Sequence, residues 1–231
     1  MKVDLLKYMS ERYLKEEHFK HYPGPVITIS RECGCPAKKI ATRLTELLNS
    51  KLELKNKKPL WKWISKEILH ESAKELELDP KNIQYVFEYE HKTLVEELLS
   101  AHSSKYYKSD RKIRNTVAKV IRSIANEGHS IIVGRGGVAI TKDIEKSLHV
   151  NLHAPIEWRA IRTSQKQNID IHKAKTLSVQ TDKKRAEFRN YFHGKNTDYT
   201  WFDVTYNCMT FTVDEIAESI LKIIELRGML D

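Results

Sequence analysis

Five short apolar runs rich in β-branched residues alternate with amphipathic helical patterns, and this alternation constrains the fold more than any other feature of the chain. Val26-Ile27-Thr28-Ile29 reads as a buried strand. A shorter run spans Leu60 to Ile64. Ser130-Ile131-Ile132-Val133, Leu148-His149-Val150-Asn151-Leu152 and Phe202-Asp203-Val204-Thr205-Tyr206 complete the set. Between them lie helical patterns. Pro36 suits a first helical position, and Ile40, Ala41, Leu44, Leu47 and Leu48 recur behind it, before a Lys/Asn-rich connection over 51–59. Residues 66–78 and 80–100 also read as helical, the second opened by Asp79-Pro80. Ile113, Val117, Val120, Ile121 and Ile124 mark a helix closed by Gly128. Pro155 opens a helix carrying Trp158, Arg159 and Arg162, and a charged helical stretch runs over 165–195. Thr212 and Glu215 form a capping box for the last helix. Strands alternating with helices predict an α/β fold, a parallel sheet with helices on both faces. Ligands in such folds sit at the carboxyl ends of strands, which points to 30–39 and 134–137.

At 231 residues the chain is long enough for one sizeable core. Pro23-Gly24-Pro25 separates a polar, helix-like N-terminal arm (1–24) from the main unit (25–231). The arm is placed to pack on a second copy, as in a homodimer. No apolar run approaches the ~20 residues that span a bilayer, so no membrane partner is expected. The first twenty residues lack the apolar centre of a signal peptide. With three cysteines, the expectation is a reduced, cytoplasmic chain.

Three constellations carry chemistry. The first follows the first strand: Ser30, Arg31, Gly34 and Cys35 lead into a helix whose first turn holds Lys38 and Lys39. A helix start offers unpaired N–H groups and a positive dipole end to an anion, and Gly34 lets a backbone come close to a phosphate. The Walker pattern is absent, since Ala37 and Lys38 stand where it carries Lys and Ser/Thr. The alternative is an ordinary strand-to-helix turn with two solvated lysines. The second is Gly134-Arg135-Gly136-Gly137, three of the eight glycines in one tetrapeptide. Glycines permit positive φ, and the Arg135 fork suits phosphate or carboxylate. The alternative is a glycine turn with an exposed arginine. The third is a basic helical segment. Arg159 and Arg162 share one face, and Asp182, Arg185 and Arg189 share another. Converging arginines stabilise the charge of a transferring phosphoryl group, and the alternative is a solvated face with internal ion pairs.

In this order, these segments resemble the cytidylate-kinase-like branch of the P-loop nucleoside monophosphate kinases. The resemblance rests on Ile27 to Gly34, Ile131 to Gly137, Ala154 to Arg159, Thr181 to Phe188, Tyr191 to Gly194 and Asp203 to Asn207. It implies a three-layer P-loop kinase fold with a helical insert (about 66–111) and a mobile, arginine-bearing lid (about 163–200). The implied reaction moves the γ-phosphoryl of ATP, with Mg²⁺, to a nucleoside monophosphate or related small phosphorylated acceptor. Arg135 resembles the acceptor-phosphate arginine, and Arg185 and Arg189, with Arg159 or Arg162, resemble lid arginines. Lys38 and Lys39 are the candidates to supply the charge of the missing Walker lysine. The chain departs from the related pattern at Gly34-Cys35-Pro36-Ala37, where a Gly-Ser-Gly-Gly is usual. It departs again at Gly136, where true cytidylate kinases carry Asp. A second reading is therefore a nucleotide-binding regulatory protein of the same fold with impaired catalysis.

Other classes fare less well. Lys105 to Arg114 interleaves cations with tyrosines, as single-strand binders do, but nucleic acid is not the expected partner. Cys33-x-Cys35 is too tight for the usual zinc spacing, and no metal cage is expected from the protein. A helix start lowers thiol pKa, which makes Cys35 a candidate reactive thiol. The net charge of +9 is concentrated: residues 101–135 carry +6 and 155–200 carry +5. That distribution favours one compact small-anion site over a diffuse basic surface.

Overall fold

The computed structural model describes residues 24–56, 58–84, 109–194 and 198–230. The expected N-terminal arm, most of the helix read over 80–100, and the tyrosine-containing connection up to residue 108 lie outside the described residues.

The predicted parallel sheet is present. It contains β1 (Val26–Arg31), β2 (Lys62–Ile64), β3 (Ser130–Val133), β4 (Ser147–His153) and β5 (Val204–Asn207), in the order β2-β3-β1-β4-β5. All pairings are parallel; Ile27 lies opposite Ile131 on one side and Leu148 on the other. The helices are α1 (Ala37–Leu54), α2 (Lys66–Glu75), the short α3 (Lys81–Gln84), α4 (Asp110–Glu127), α5 (Gly137–Thr141), α6 (Ile156–Gln167), α7 (Ile171–His193) and α8 (Val213–Leu226).

Side chains alternate across the sheet and so feed two cores. Ile27, Ile29, Ile131, Val133, Leu148, Val150 and Leu152 face α1 and α8. Val26 and Ile132 face α2, α4 and α5, where Phe188 of α7 also packs. Each fully buried Ile or Leu contributes about 1.5–3 kcal/mol relative to exposure, so the two layers hold the sheet rigid beneath its loops.

Local chemistry sets the boundaries. The capping box at α8 forms: the Thr212 hydroxyl accepts from the Glu215 amide, and the Glu215 carboxylate accepts from the Thr212 amide. Pro36 and Pro155 precede their helices as N-caps. The helix after β1 runs to Leu54, into the expected connection, because Leu48 and Leu52 continue its buried face. The expected helix over 165–195 is split. Asn168 turns left-handed at φ +53, and the Asp170 carboxylate then accepts from the His172 and Lys173 amides. Asn in αL followed by an Asp cap stops one helix and starts another.

One buried polar group is expected to make stability depend on pH. His149 is 7% exposed and bonds Thr28 Oγ1 across the β1–β4 pair at 2.8 Å, with Ser147 Oγ at 3.2 Å. Burial lowers its pKa against the opposing pull of Asp203. A depressed folded pKa means that the neutral ring is favoured. The stability it contributes is complete above about 6.5, the unfolded value, and is lost as pH falls below it. His149→Gln should therefore flatten the decline in unfolding free energy between pH 7 and 5. His129, also lowered by burial, keeps part of the slope. Urea unfolding at each pH measures this, and an unchanged slope contradicts it.

Candidate functional site

β1 delivers the chain at Arg31 into the turn Glu32–Pro36 and then α1. β3, its neighbour, delivers the chain at Val133 into Gly134-Arg135-Gly136 and then α5. The connection after β1 runs outward to β2, whereas the one after β3 crosses β1 to reach β4. Adjacent strands whose connections leave in opposite directions open a crevice at their carboxyl ends. A cavity of about 970 Å³ lies there.

Backbone geometry at Gly134-Arg135-Gly136 is set for approach. All three have positive φ, +74, +56 and +72. A Cβ at Gly134 would overlap the Arg31 guanidinium, so the missing side chain is what lets Arg31 cross this turn. Arg135 is the strained member, because an L side chain in the left-handed region costs about 1–2 kcal/mol. Its side chain lines the cavity, and Nε donates to the Ser65 carbonyl at 3.4 Å.

The lining is strongly cationic. It holds five arginines (Arg31, Arg135, Arg162, Arg185, Arg189) and four lysines (Lys38, Lys39, Lys66, Lys166). Among the described residues, Glu32 is the single carboxylate in that lining. Burial, then Arg185, Arg135 and Arg189, push the Arg31 pKa down to about 9. Burial, then Lys66, Lys166 and Arg31, lower Lys38. Like charges crowded this way repel one another, and an anionic ligand would relieve the repulsion. Backbone bonds aim some of them: Arg185 Nη1 donates to the Arg31 carbonyl and Arg162 Nε to the Gly34 carbonyl, each at 3.2 Å. Arg162 also lies 4.6 Å over the Trp158 ring.

Arg159 and Asp182, expected as lid contacts, do not line the cavity but fasten the loop beneath it. Arg159 is buried; its Nε donates to the Ala154 carbonyl at 2.8 Å, and its Nη1 donates to the Cys33 carbonyl at 3.2 Å and to Asp182 Oδ2 at 2.7 Å. Glu32 Oε2 lies 3.2 Å from Nε. Asp182 Oδ1 accepts from the Cys33 amide at 2.7 Å. The segment expected as a lid is thus tied to the loop after β1.

The glycine at the loop serves packing. Gly34 has φ +92, and a Cβ there would lie 2.8 Å from the Arg159 carbonyl oxygen, so the residue admits the α6 backbone while also lining the cavity. Part of the loop's amide set is already engaged. Cys33 N is held by Asp182, Cys35 N donates to the Glu32 carbonyl, Ala37 N to the Cys35 carbonyl, and Pro36 has no N–H. The cationic side chains of the lining add the charge that these engaged amides cannot. Ser30, Arg31, Gly34, Cys35, Lys38, Lys39, Gly134, Arg135 and Gly136 do line the cavity as expected, with Arg162, Arg185 and Arg189. Gly137 does not; it is buried at the start of α5 against Ile132 and Thr28. Cys35 departs from expectation as well. The adjacent Cys208 thiol, and then burial, push it far up, overriding the helix start.

Sequence reasoning missed Lys66, Lys166 and Ser65. Ser65 and Lys66 directly follow β2, so the strand-end rule applied to 30–39 and 134–137 reaches them too. Lys166 carries no such signal; the turn at Asn168 ends its helix beside the cavity.

Magnesium bound by protein prefers carboxylate or hydroxyl oxygens. The first-turn position that carries a hydroxyl in Walker loops holds Lys38. Glu32 Oε2 already receives the Ala154 amide and Arg159. Among the described residues no three His, Cys, Asp or Glu side chains gather to hold a metal. The residues present do not fit a protein-held magnesium ion.

The five-stranded parallel sheet with helices on both faces is the expected α/β fold, with a loop-to-helix site after β1. A profile of the cytidylate kinase-like family matches residues 26–208, and the chain belongs to that family. The chain is similar to an uncharacterized protein from Eubacterium ventriosum ATCC 27560, with 22% identity, a TM-score of 0.62, and coverage of 88% of this chain and 99% of that one. Weaker likenesses are to shikimate kinase from Bacteroides thetaiotaomicron (13% identity, TM-score 0.48, covering 88% and 98%) and dephospho-CoA kinase from Campylobacter jejuni (14%, 0.41, covering 88% and 97%). No curated protein matches the chain. Among the described residues, no helix is long and apolar enough to cross a membrane.

Proposed function

We propose that the protein is a cytidylate-kinase-like phosphotransferase that moves the γ-phosphoryl of ATP to a nucleoside monophosphate or a related small phosphorylated acceptor. The observation that carries this reading is the crevice itself, where nine cationic side chains face one already engaged carboxylate. Phosphoryl transfer asks the protein chiefly for positioning and charge. Arg135, on its strained turn, takes the acceptor phosphate. Arg185 and Arg189 reach the transferring group from α7, and Arg31 lies between them and Arg135. Lys38 and Lys39 meet the donor phosphates at the start of α1. The charge that neutralises these phosphates comes from side chains.

Ala37, standing where Walker loops carry lysine, favours one alternative: a nucleotide-binding regulatory protein that kept the fold and lost turnover. The test is incubation with ATP and a panel of nucleoside monophosphates, followed by separation of the products, alongside thermal shifts. Formation of ADP and a nucleoside diphosphate is the expected result. A thermal shift without turnover supports the regulatory reading. Neither shift nor turnover overturns both.

A further inference from the structure

Among the nine cations, Lys38, already read as meeting the donor phosphates, stands with two lysines that the reading above leaves unexplained, Lys66 and Lys166. Lys38 comes from the first turn of α1, Lys66 from the start of α2 and Lys166 from the last turn of α6. Three separate elements thus bring ammonium groups to one cavity wall. None of the three has a carboxylate within ion-pair distance among the described residues. The lowering of Lys38, by burial first and then by the charges of Lys66 and Lys166, agrees with that closeness. Lys38 also stands at the position where a Walker loop offers magnesium a hydroxyl.

An added dication here would meet lysines in place of oxygen ligands. Its repulsion from three neighbouring positive charges disfavours the metal-complexed ligand. The same lysines attract a polyphosphate most strongly when it carries its full negative charge, uncomplexed. We propose that Lys38, Lys66 and Lys166 replace the metal as counter-charge, so that the site binds a polyphosphate in its magnesium-free form. This rests on the reading of the cavity as a phosphate site and specifies the ionic form of its ligand.

The probes are inorganic tripolyphosphate and ATP, titrated calorimetrically into the full chain at fixed ionic strength, once with EDTA and once with excess magnesium. The expected result is tripolyphosphate binding about ten-fold or more tighter in EDTA, since complexation removes about half the ligand charge. The Lys66→Met, Lys166→Met double variant should bring the two affinities close together. Both lysines are exposed, so the fold is spared, and an unchanged melting temperature checks that. Equal or tighter wild-type binding in magnesium overturns the proposal, as does a double variant that keeps the full EDTA preference. ATP binding that requires magnesium overturns this inference and leaves the nucleotide reading standing. Tripolyphosphate binding without ATP binding does the reverse.

Discussion

Replacing Arg159 with methionine is expected to destabilise the protein by about 3–5 kcal/mol, the range for removing one partner of a buried ion pair. Its side chain is only 8% exposed, and it joins three elements: Ala154 at the end of β4, Glu32 and Cys33 in the loop after β1, and Asp182 on α7. Methionine matches much of its volume but offers no donor. Two carbonyls would lose their partner, Glu32 would lose its cation, and Asp182 would keep only Arg185, at 3.5 Å. The melting temperature should fall by about 10 °C, given roughly 2–4 °C per kcal/mol for a chain of this size. The deficit should shrink in acid. Burial already raises the Asp182 carboxyl, with the Cys33 amide, Arg185 and Arg159 opposing that shift. Without Arg159 the pKa rises further, and protonation then removes the repulsion from Glu32. Arg159→Lys should rescue little, because one ammonium cannot reach the set of acceptors that the planar fork serves. Thermal unfolding at pH 7 and pH 5 measures both effects. A loss below about 1 kcal/mol at pH 7 would assign Arg159 to the surface class of ion pairs and remove it as the loop's anchor.

Much of the fold was legible in the sequence because its signals are local. The strand runs, the amphipathic faces and the Thr212–Glu215 box each declare themselves within a few residues. The two glycine-bearing loops were legible for the same reason, since each directly follows a strand. What failed was orientation. Arg159 and Arg162 are three apart and share a helix face in projection, yet the first turns into the β4–α7 junction and the second into the cavity. A guanidinium on a long stem reaches either place, and only the tertiary positions of Glu32 and Asp182 decide between them. Gly34 was read only in part. A glycine after a strand fits close approach to a ligand or to another backbone; it lines the cavity, and α6 packs on its Cβ side. The split at Asn168-Ile169-Asp170 was present as a cap signal, but the charged, helix-favouring residues on both sides hid it. Lys166 became a site residue because of that split.

Arg189→Met should do the opposite of Arg159→Met, making the unliganded protein more stable and the ligand-binding protein weaker. Arg189 lines the cavity with its Nε buried and without a hydrogen-bond partner among the described residues. Burial, together with the charge of Arg185, lowers its pKa, while Asp182 pulls the other way. A guanidinium held in that state costs stability in the empty site, and a methionine of similar length removes the cost. The gain should be about 1 kcal/mol, a rise of roughly 2–4 °C in melting temperature. The same guanidinium becomes an asset once a phosphate supplies the acceptor. Hydrogen bonds to charged groups are worth about 1.5–3 kcal/mol, so affinity for tripolyphosphate or ATP should fall by about ten- to a hundred-fold. The stabilisation that the ligand adds by mass action shrinks with it. Lys183→Met, an exposed site on the same helix, serves as the control and should move neither quantity. A variant that loses stability without ligand would make Arg189 a structural residue. One that gains stability and keeps its affinity would place the anion elsewhere in the cavity. The expected pairing, stability gained and affinity lost in one substitution, is the signature of charge held in place for a ligand.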